Sequence, residues 1–498
     1  MRTSQWFLSL FAALFAVMTL CGTAALAQDY QHAPVPDGPV GDRIRALVET
    51  VNANDSDRVR KFVEEAFTPE FRDIAPMEAH LSVFADVFRR SRGYDLHGIR
   101  VYDGEAPAEG VVVILRNRLT EAWEAADVLV EEEAPYRIAG VQVGIPARPP
   151  ANAPGTEEKD LSDLEIAKAL DAFVERLVMN DAFSGTVILA KGDKVLYEAA
   201  HGLASKRFDV PIKIDTKFNL GSMNKMFTGV AVLQLAERGK LKLDDPISKY
   251  VDEEWLPKEI TDKVRVEHLL THTSGLGSYF NQQYMESSKL RFREVDDYKP
   301  LVNGEELAFE PGTGWRYSNT GMLLLGVVVA KASGQDYFDY MREHVYKVAG
   351  MKNTDCYDMD RPVPNLAIGY TQDEEGWVNN YYLHVVRGGP AGGGFSTAED
   401  LLRFDRALRG HRLLGAEWTE KLWAGRPDLG SAEYGYGFGI GGTPEDPVVG
   451  HGGGFAGISS NLDMFMGSGY TAIVLSNYDS GAIPINQKIR RLIAARAK

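Results

Sequence analysis

The sequence predicts an α+β protein built as two domains, and three observations carry that reading. Residues 42–144 pass from helical to strand-like periodicity. A stretch rich in proline and charge follows at Ile145–Asp160, and beyond it two amphipathic helices and several short apolar strand segments bracket a long middle region. At 498 residues the chain exceeds one typical core, and 44% hydrophobic with 25% charged residues is ordinary globular composition.

The first residues carry Arg2, an apolar run from Trp6 to about Cys21 and an "ALA" at Ala25–Ala27 before Gln28, the layout of a secretory signal peptide. Residues 1–27 are therefore expected to be removed after Ala27, with retention as an anchor the lesser reading because the run is short for a membrane span. Export places the mature protein in the periplasm or medium. Its only remaining cysteine is then Cys356, so no intramolecular disulfide can form and stability must come from packing.

Residues 28–145 read as a small α+β domain. Ile44, Leu47, Val48 and Val51 repeat at helical spacing from Asp42, a break falls at Asn54, and a second helix runs to about Phe67. Strand-like stretches follow at "LHGIRVYD" (Leu96–Asp103), "GVVVILRN" (Gly110–Asn117), "EAWEAADVLVE" (Glu121–Glu131) and "YRIAGVQVG" (Tyr136–Gly144). By element order this run resembles the cone-shaped nuclear transport factor 2-like (NTF2-like) fold. Residues 146–160 read as a semi-extended linker.

In residues 161–498, Ser162 is placed to cap a helix with Ile166, Leu170, Phe173, Val174 and Leu177 on one stripe, and a hairpin turns at Gly192-Asp193. Near the other end "YGYGFGIGG", "PVVGHGGG", "GISSNLDMFM" and "GYTAIVLSNY" read as four strands, before a helix carrying Ile485, Ile489, Leu492 and Ile493 on one face.

Between these ends lies "KFNLGSMNKMFTGVAVLQL" (Lys217–Leu235). From Met223 to Leu233 it is apolar almost all round, as a buried helix is, yet it contains Lys225. Ser222 precedes that lysine by three residues, which puts both side chains on one helix face. A serine hydroxyl needs a neighbour to take its proton, and a lysine desolvated near the positive end of a helix dipole is disfavoured as a cation. An S-x-x-K string alone is weak evidence for catalysis.

Two further stretches strengthen it: Tyr317-Ser318-Asn319 in "FEPGTGWRYSNTGMLLLG", and His451-Gly452-Gly453-Gly454 in "VVGHGGGFAGISSNLDMFM". In this order and at these separations the three motifs resemble those of the serine β-lactamase-like superfamily, nearest the class C β-lactamases, D-alanyl-D-alanine peptidases and related esterases. "VEHLLTHTSGL", "DDPISKYV" and "GGPAGGGFSTAEDLLRF" look like the same family. The resemblance spans about Leu161–Lys498 and implies a β-lactamase/penicillin-binding-protein-like transpeptidase fold, an antiparallel sheet flanked by helices with an all-helical region beside it. It further implies Ser222 as the acylated nucleophile, Lys225 as its proton partner and Tyr317 as completing the base, with the resting base left open between the last two. Asn319 would hydrogen-bond substrate or lysine, and the backbone amides of Ser222 and Gly454 would form the oxyanion hole. No cofactor or metal is implied.

The third motif departs from the family's Lys-Thr-Gly. His451 is mostly uncharged at neutral pH, and Gly452 and Gly454 lack the hydroxyls that relatives use to hold a substrate carboxylate. His451, Gly452 and Gly453 are thus expected to line a site for a neutral small-molecule or peptide-like ester or amide. A D-alanyl-D-alanine carboxypeptidase or β-lactamase is the alternative, and a non-catalytic cell-wall or peptide-binding protein the second. The chain lacks a G-x-S-x-G elbow, so the α/β-hydrolase reading of "HGGG" fails. His268 and His272 stand at i, i+4 without a third ligand and are expected to be structural. A net charge of -16 argues against nucleic acid and anionic membranes as partners. The N-terminal domain is expected to gate substrate or assemble a homo-oligomer.

Overall fold

The computed structural model describes residues 31–101, 110–150, 160–373 and 376–496. The signal-peptide reading and most of the linker, residues 151–159, lie outside the described residues. The chain divides into two compact units, residues 1–157 and 158–498. Among the described residues no helix is long and apolar enough to cross a membrane.

The first unit contains strand β1 (Gln31–Ala33), helices α1 (Pro39–Ala53), α2 (Ser56–Ala66) and α3 (Met77–Ser91), and strands β2 (Tyr94–Val101), β3 (Gly110–Asn117), β4 (Trp123–Val130) and β5 (Ile138–Pro146). The expected break at Asn54 has a local cause. Asn54 takes a left-handed conformation (φ 48°), and the Asp55 side chain then caps α2 by accepting from the Arg58 amide at 2.8 Å. The five strands pair antiparallel in sequence order. Ile44, Val48 and Val51 of α1 join Val113, Leu115 and Val128 of the sheet in one core. Helix α3 is an element the sequence reading missed. Phe84 joins the core, with Met77, Leu81 and Val87 packed against it, while Val83 on the outer side is 54% exposed.

The second unit opens with α4 (Asp163–Met179), held at its start by a reciprocal capping box: the Glu165 amide donates to Ser162 Oγ, and the Ser162 amide to Glu165 Oε2 at 2.8 Å. It continues through β6 (Gly185–Lys191), β7 (Lys194–His201), α5 (Asn224–Glu237), α6 (Asn319–Ser333), α7 (Ala398–Arg409), β8 (Gly439–Thr443), β9 (Asp446–Phe455), β10 (Ile458–Phe465), β11 (Tyr470–Ser476) and α8 (Ala482–Ala494), with short helical turns and loops between. The sheet order is β8-β9-β10-β11-β6-β7, antiparallel throughout. Strand β11 pairs with β6, Tyr470 opposite Lys191 and Ser476 opposite Gly185, so the two ends of this unit complete one sheet. Both strands are buried on both faces, and α4, α8, α5 and α7 pack around the sheet. The first of the four late strands is shorter than expected: "YGYGF" is a buried loop, and strand pairing begins at Gly439.

Candidate active site

The candidate nucleophile sits where a tight turn becomes a buried helix. Gly221–Met223 form a 3-10 turn that runs directly into α5. Gly221 has φ 50°, and a methyl group there would lie 3.0 Å from the Gly454 nitrogen. Glycine at 221 therefore serves both the left-handed turn and the close approach of the serine segment to β9. A side chain at Gly453 would collide with the Leu220 carbonyl, so the strand too requires glycine there. The amides of Ser222 and Gly454 are thus brought to neighbouring segments.

Helix α5 is buried on every side from Asn224 to Ala236, which accounts for the apolar run around Lys225. Lys225 has no solvent exposure. Its Nζ lies 3.1 Å from Ser222 Oγ, 2.9 Å from Asn319 Oδ1 and 2.5 Å from the Ala391 carbonyl oxygen. It also stands 4.8 Å from the centre of the Tyr317 ring. Desolvation pushes its pKa down to about 7. A neutral amine has two N–H donors and one lone pair. The Asn319 and Ala391 oxygens take the donors, and the lone pair remains for the serine O–H.

The second motif is positioned by the start of α6. Ser318 caps this helix, its Oγ accepting from the Gly321 amide at 2.8 Å and donating to the Gly277 carbonyl at 2.8 Å. Tyr317 and Asn319 flank the cap and turn toward Lys225. Asn319 Nδ2 donates to Ser278 Oγ at 3.1 Å, which leaves Oδ1 for the lysine. Tyr317 neighbours the Ser222 side chain, and burial raises its phenol to about 12. At neutral pH it is an O–H donor, not a tyrosinate.

His451 lies on β9 opposite Leu462. Its Nδ1 is 2.5 Å from the Gly452 carbonyl oxygen and its Nε2 is 3.0 Å from the Tyr434 hydroxyl, so both ring nitrogens are engaged within the protein. Burial, and after it the Lys225 charge, push its pKa down to about 4. The ring is uncharged at neutral pH. Gly452 and Gly454 are exposed, with no atom nearer than 3.5 Å to a methyl group at 452.

Three residues at this site escaped the sequence reading in their present roles. The Ala391 carbonyl is a backbone acceptor and leaves no side-chain signature. Tyr434 belongs to a stretch read as strand. His272 is completely buried, its ring lying 4.4 Å from that of Tyr317 and 4.6 Å from that of Tyr434. His268, its partner in the i, i+4 pair, spends Nδ1 on the Arg265 amide at 3.2 Å.

A family model described as Beta-lactamase matches residues 168–496. The chain belongs to the beta-lactamase family. Within this family it is 32% identical over 329 residues to penicillin-binding protein 4* of Bacillus subtilis strain 168, covering 62% of this chain and 71% of the relative. It is 27% identical over 388 residues to esterase EstB of Burkholderia gladioli, covering 68% of this chain and 97% of the relative. Among solved structures, a penicillin-binding protein from Bacillus halodurans aligns with a TM-score of 0.59 at 31% identity, covering 64% of this chain and 98% of that one. Penicillin-binding-protein-like structures thus share its α+β fold, and the second unit is a beta-lactamase-family hydrolase.

Proposed function

We propose that this beta-lactamase-family hydrolase is an exported enzyme that cleaves a neutral ester or amide through an acyl intermediate on Ser222, with esters preferred to β-lactams. One observation carries the reading: a fully buried lysine, its pKa pushed down to about 7, lies 3.1 Å from the serine oxygen. Lys225 takes the Ser222 proton as Oγ attacks the substrate carbonyl. The amides of Ser222 and Gly454 receive the negative charge that develops on the carbonyl oxygen. Tyr317, neutral at rest, returns a proton to the leaving group while Lys225 replaces it, and the same chain reversed lets water release the acyl group. Asn319 keeps the lysine aligned.

The ester preference rests on the third motif. An uncharged His451 with both nitrogens engaged, and glycine at 452 and 454, offer no cation or hydroxyl to a substrate carboxylate. Two arginines outside the third motif are engaged in ion pairs: Arg293 with Asp358 (2.8 Å) and Asp360 (2.6 Å), and Arg387 with Glu294 (3.3 Å). Likeness to penicillin-binding protein 4* supports the second reading, a D-alanyl-D-alanine peptidase or β-lactamase.

A fluorophosphonate probe with peptide mapping tests the core of the proposal. Labelling of Ser222 that disappears in Ser222→Ala is expected, together with loss of ester hydrolysis. Undiminished activity in Ser222→Ala overturns it. A panel of acyl esters, penicillins and D-alanyl-D-alanine peptides separates the two substrate readings.

A further inference from the structure

We infer that His272 is a positioning residue for the acylation step: it accepts the hydrogen bond from the Ser318 amide, packs its ring on Tyr317, and so fixes the tyrosine against Ser222. The inference rests on the reading of Ser222 as nucleophile given above. The Ser318 amide donates to His272 Nδ1 at 3.1 Å. With the two bonds of Ser318 Oγ this holds the residue between Tyr317 and Asn319 at three points. The Arg316 amide donates to the His272 carbonyl at 2.9 Å, so the segment entering Tyr317 is pinned by the same residue. That anchoring matters because Trp315 and Arg316, just before it, are exposed and give the tyrosine no buried support of their own.

Burial works against a histidine here, which is why its presence points to a task. The residue has φ 61°, a left-handed backbone uncommon for residues other than glycine, though asparagine, aspartate and histidine adopt it more readily than most. Its Nδ1 accepts, so the proton sits on Nε2, and that buried N–H has no hydrogen-bond partner. Three rings surround it, those of Tyr317, Tyr434 and Trp315, the last edge-on at 5.9 Å. Tyr434 in turn holds His451. One imidazole therefore braces the second motif and the support of the third. A displacement of about 1 Å in a proton-transfer group can cost two orders of magnitude in rate, so a brace with this geometry bears directly on turnover.

The test uses the purified full chain and two substitutions that divide the imidazole's properties. His272→Phe keeps a ring but has no acceptor; His272→Asn keeps an acceptor and suits the left-handed backbone. Readouts are the rate of fluorophosphonate labelling at Ser222, kcat and KM for a p-nitrophenyl ester, and the melting temperature. His272→Phe is expected to lower labelling rate and kcat at least about tenfold with KM within about twofold, and His272→Asn to retain at least about a third of both rates. If phenylalanine at this position prevents folding, His272→Gly, which suits the backbone, takes its place with the same criteria. Unchanged rates in the acceptor-free variant, or equal losses in both variants, overturn the inference while wild-type labelling still supports the nucleophile. Absence of wild-type labelling at Ser222 overturns the nucleophile assignment and this inference with it.

Discussion

Lys225 Nζ lies 3.1 Å from Ser222 Oγ, and its two other partners, Asn319 Oδ1 and the Ala391 carbonyl, can only accept hydrogen bonds. Such an arrangement suits a neutral amine facing a serine O–H, and it fixes where activity should depend on pH. Burial brings Lys225 to about 7, whereas Tyr317 is raised to about 12. The base must be deprotonated to act, so kcat/KM for an ester should rise about tenfold per pH unit below 7, reach half its plateau near 7, and stay flat toward pH 9. A pH profile on the purified protein checks this. A rising limb near pH 4 to 5 would remove Lys225 as the resting base.

Burying that lysine should cost stability. Its folded pKa lies below its ordinary value of 10.5, so between pH 7 and 10.5 the unfolded chain binds the extra proton and stability rises with pH across that window. Each pH unit of that window is worth about 1.4 kcal/mol, and the hydrogen bonds the amine makes offset part of the total, which leaves a cost on the order of 2–4 kcal/mol at pH 7. Lys225→Met, similar in length and without a charge, should therefore raise the melting temperature at pH 7 while abolishing turnover. Calorimetry at pH 7 and 9.5 should show the gain shrinking at the higher pH. A lower melting temperature in the variant would mean that the three hydrogen bonds outweigh desolvation.

Because Lys225 lies between Ser222 and the Tyr317 ring and the two groups are read as one proton relay, their substitutions should not add. Lys225→Ala and Tyr317→Phe are each expected to lower kcat at least about 10²-fold, and the double variant little further. Independent losses that multiply in the double variant would show that the two groups act in separate steps.

What could be read from the sequence, and what could not, follows from the kind of atom each feature uses. Ser222, Lys225, Tyr317, Asn319 and His451 are side chains within short local motifs at the start of a helix or on a strand, and the structure brings all five together. The capping of α4 by Ser162 and the hairpin between β6 and β7 were legible for the same reason. The Ala391 carbonyl is a backbone atom with no side-chain signature, and only the folded chain places it, whereas the Gly454 amide was named through the family resemblance. His272 is 45 residues from Tyr317 in sequence, and no local period marks a ring that stacks across such a gap. The break at Asn54 was visible because asparagine and aspartate carry it, whereas α3 was passed over although Met77, Leu81 and Phe84 recur at helical spacing.

The last prediction concerns substrate choice. A methyl group at Gly452 would meet nothing nearer than 3.5 Å, so this exposed strand position has room for a threonine side chain. His451 is uncharged at neutral pH and bound to Tyr434 and the Gly452 carbonyl. Replacing the pair as His451→Lys with Gly452→Thr supplies a cation and a hydroxyl where a substrate carboxylate would lie. One charge-assisted hydrogen bond is worth about 1.5–3 kcal/mol, or roughly 10- to 150-fold in discrimination. The ratio of kcat/KM for a penicillin or D-alanyl-D-alanine peptide to that for a short neutral ester should rise by that order in the double variant. Ester turnover should fall modestly, because Tyr434 loses its partner. If the wild-type enzyme already prefers the carboxylate-bearing substrates, a cation outside the third motif holds them, and the substitution will leave the ratio where it was.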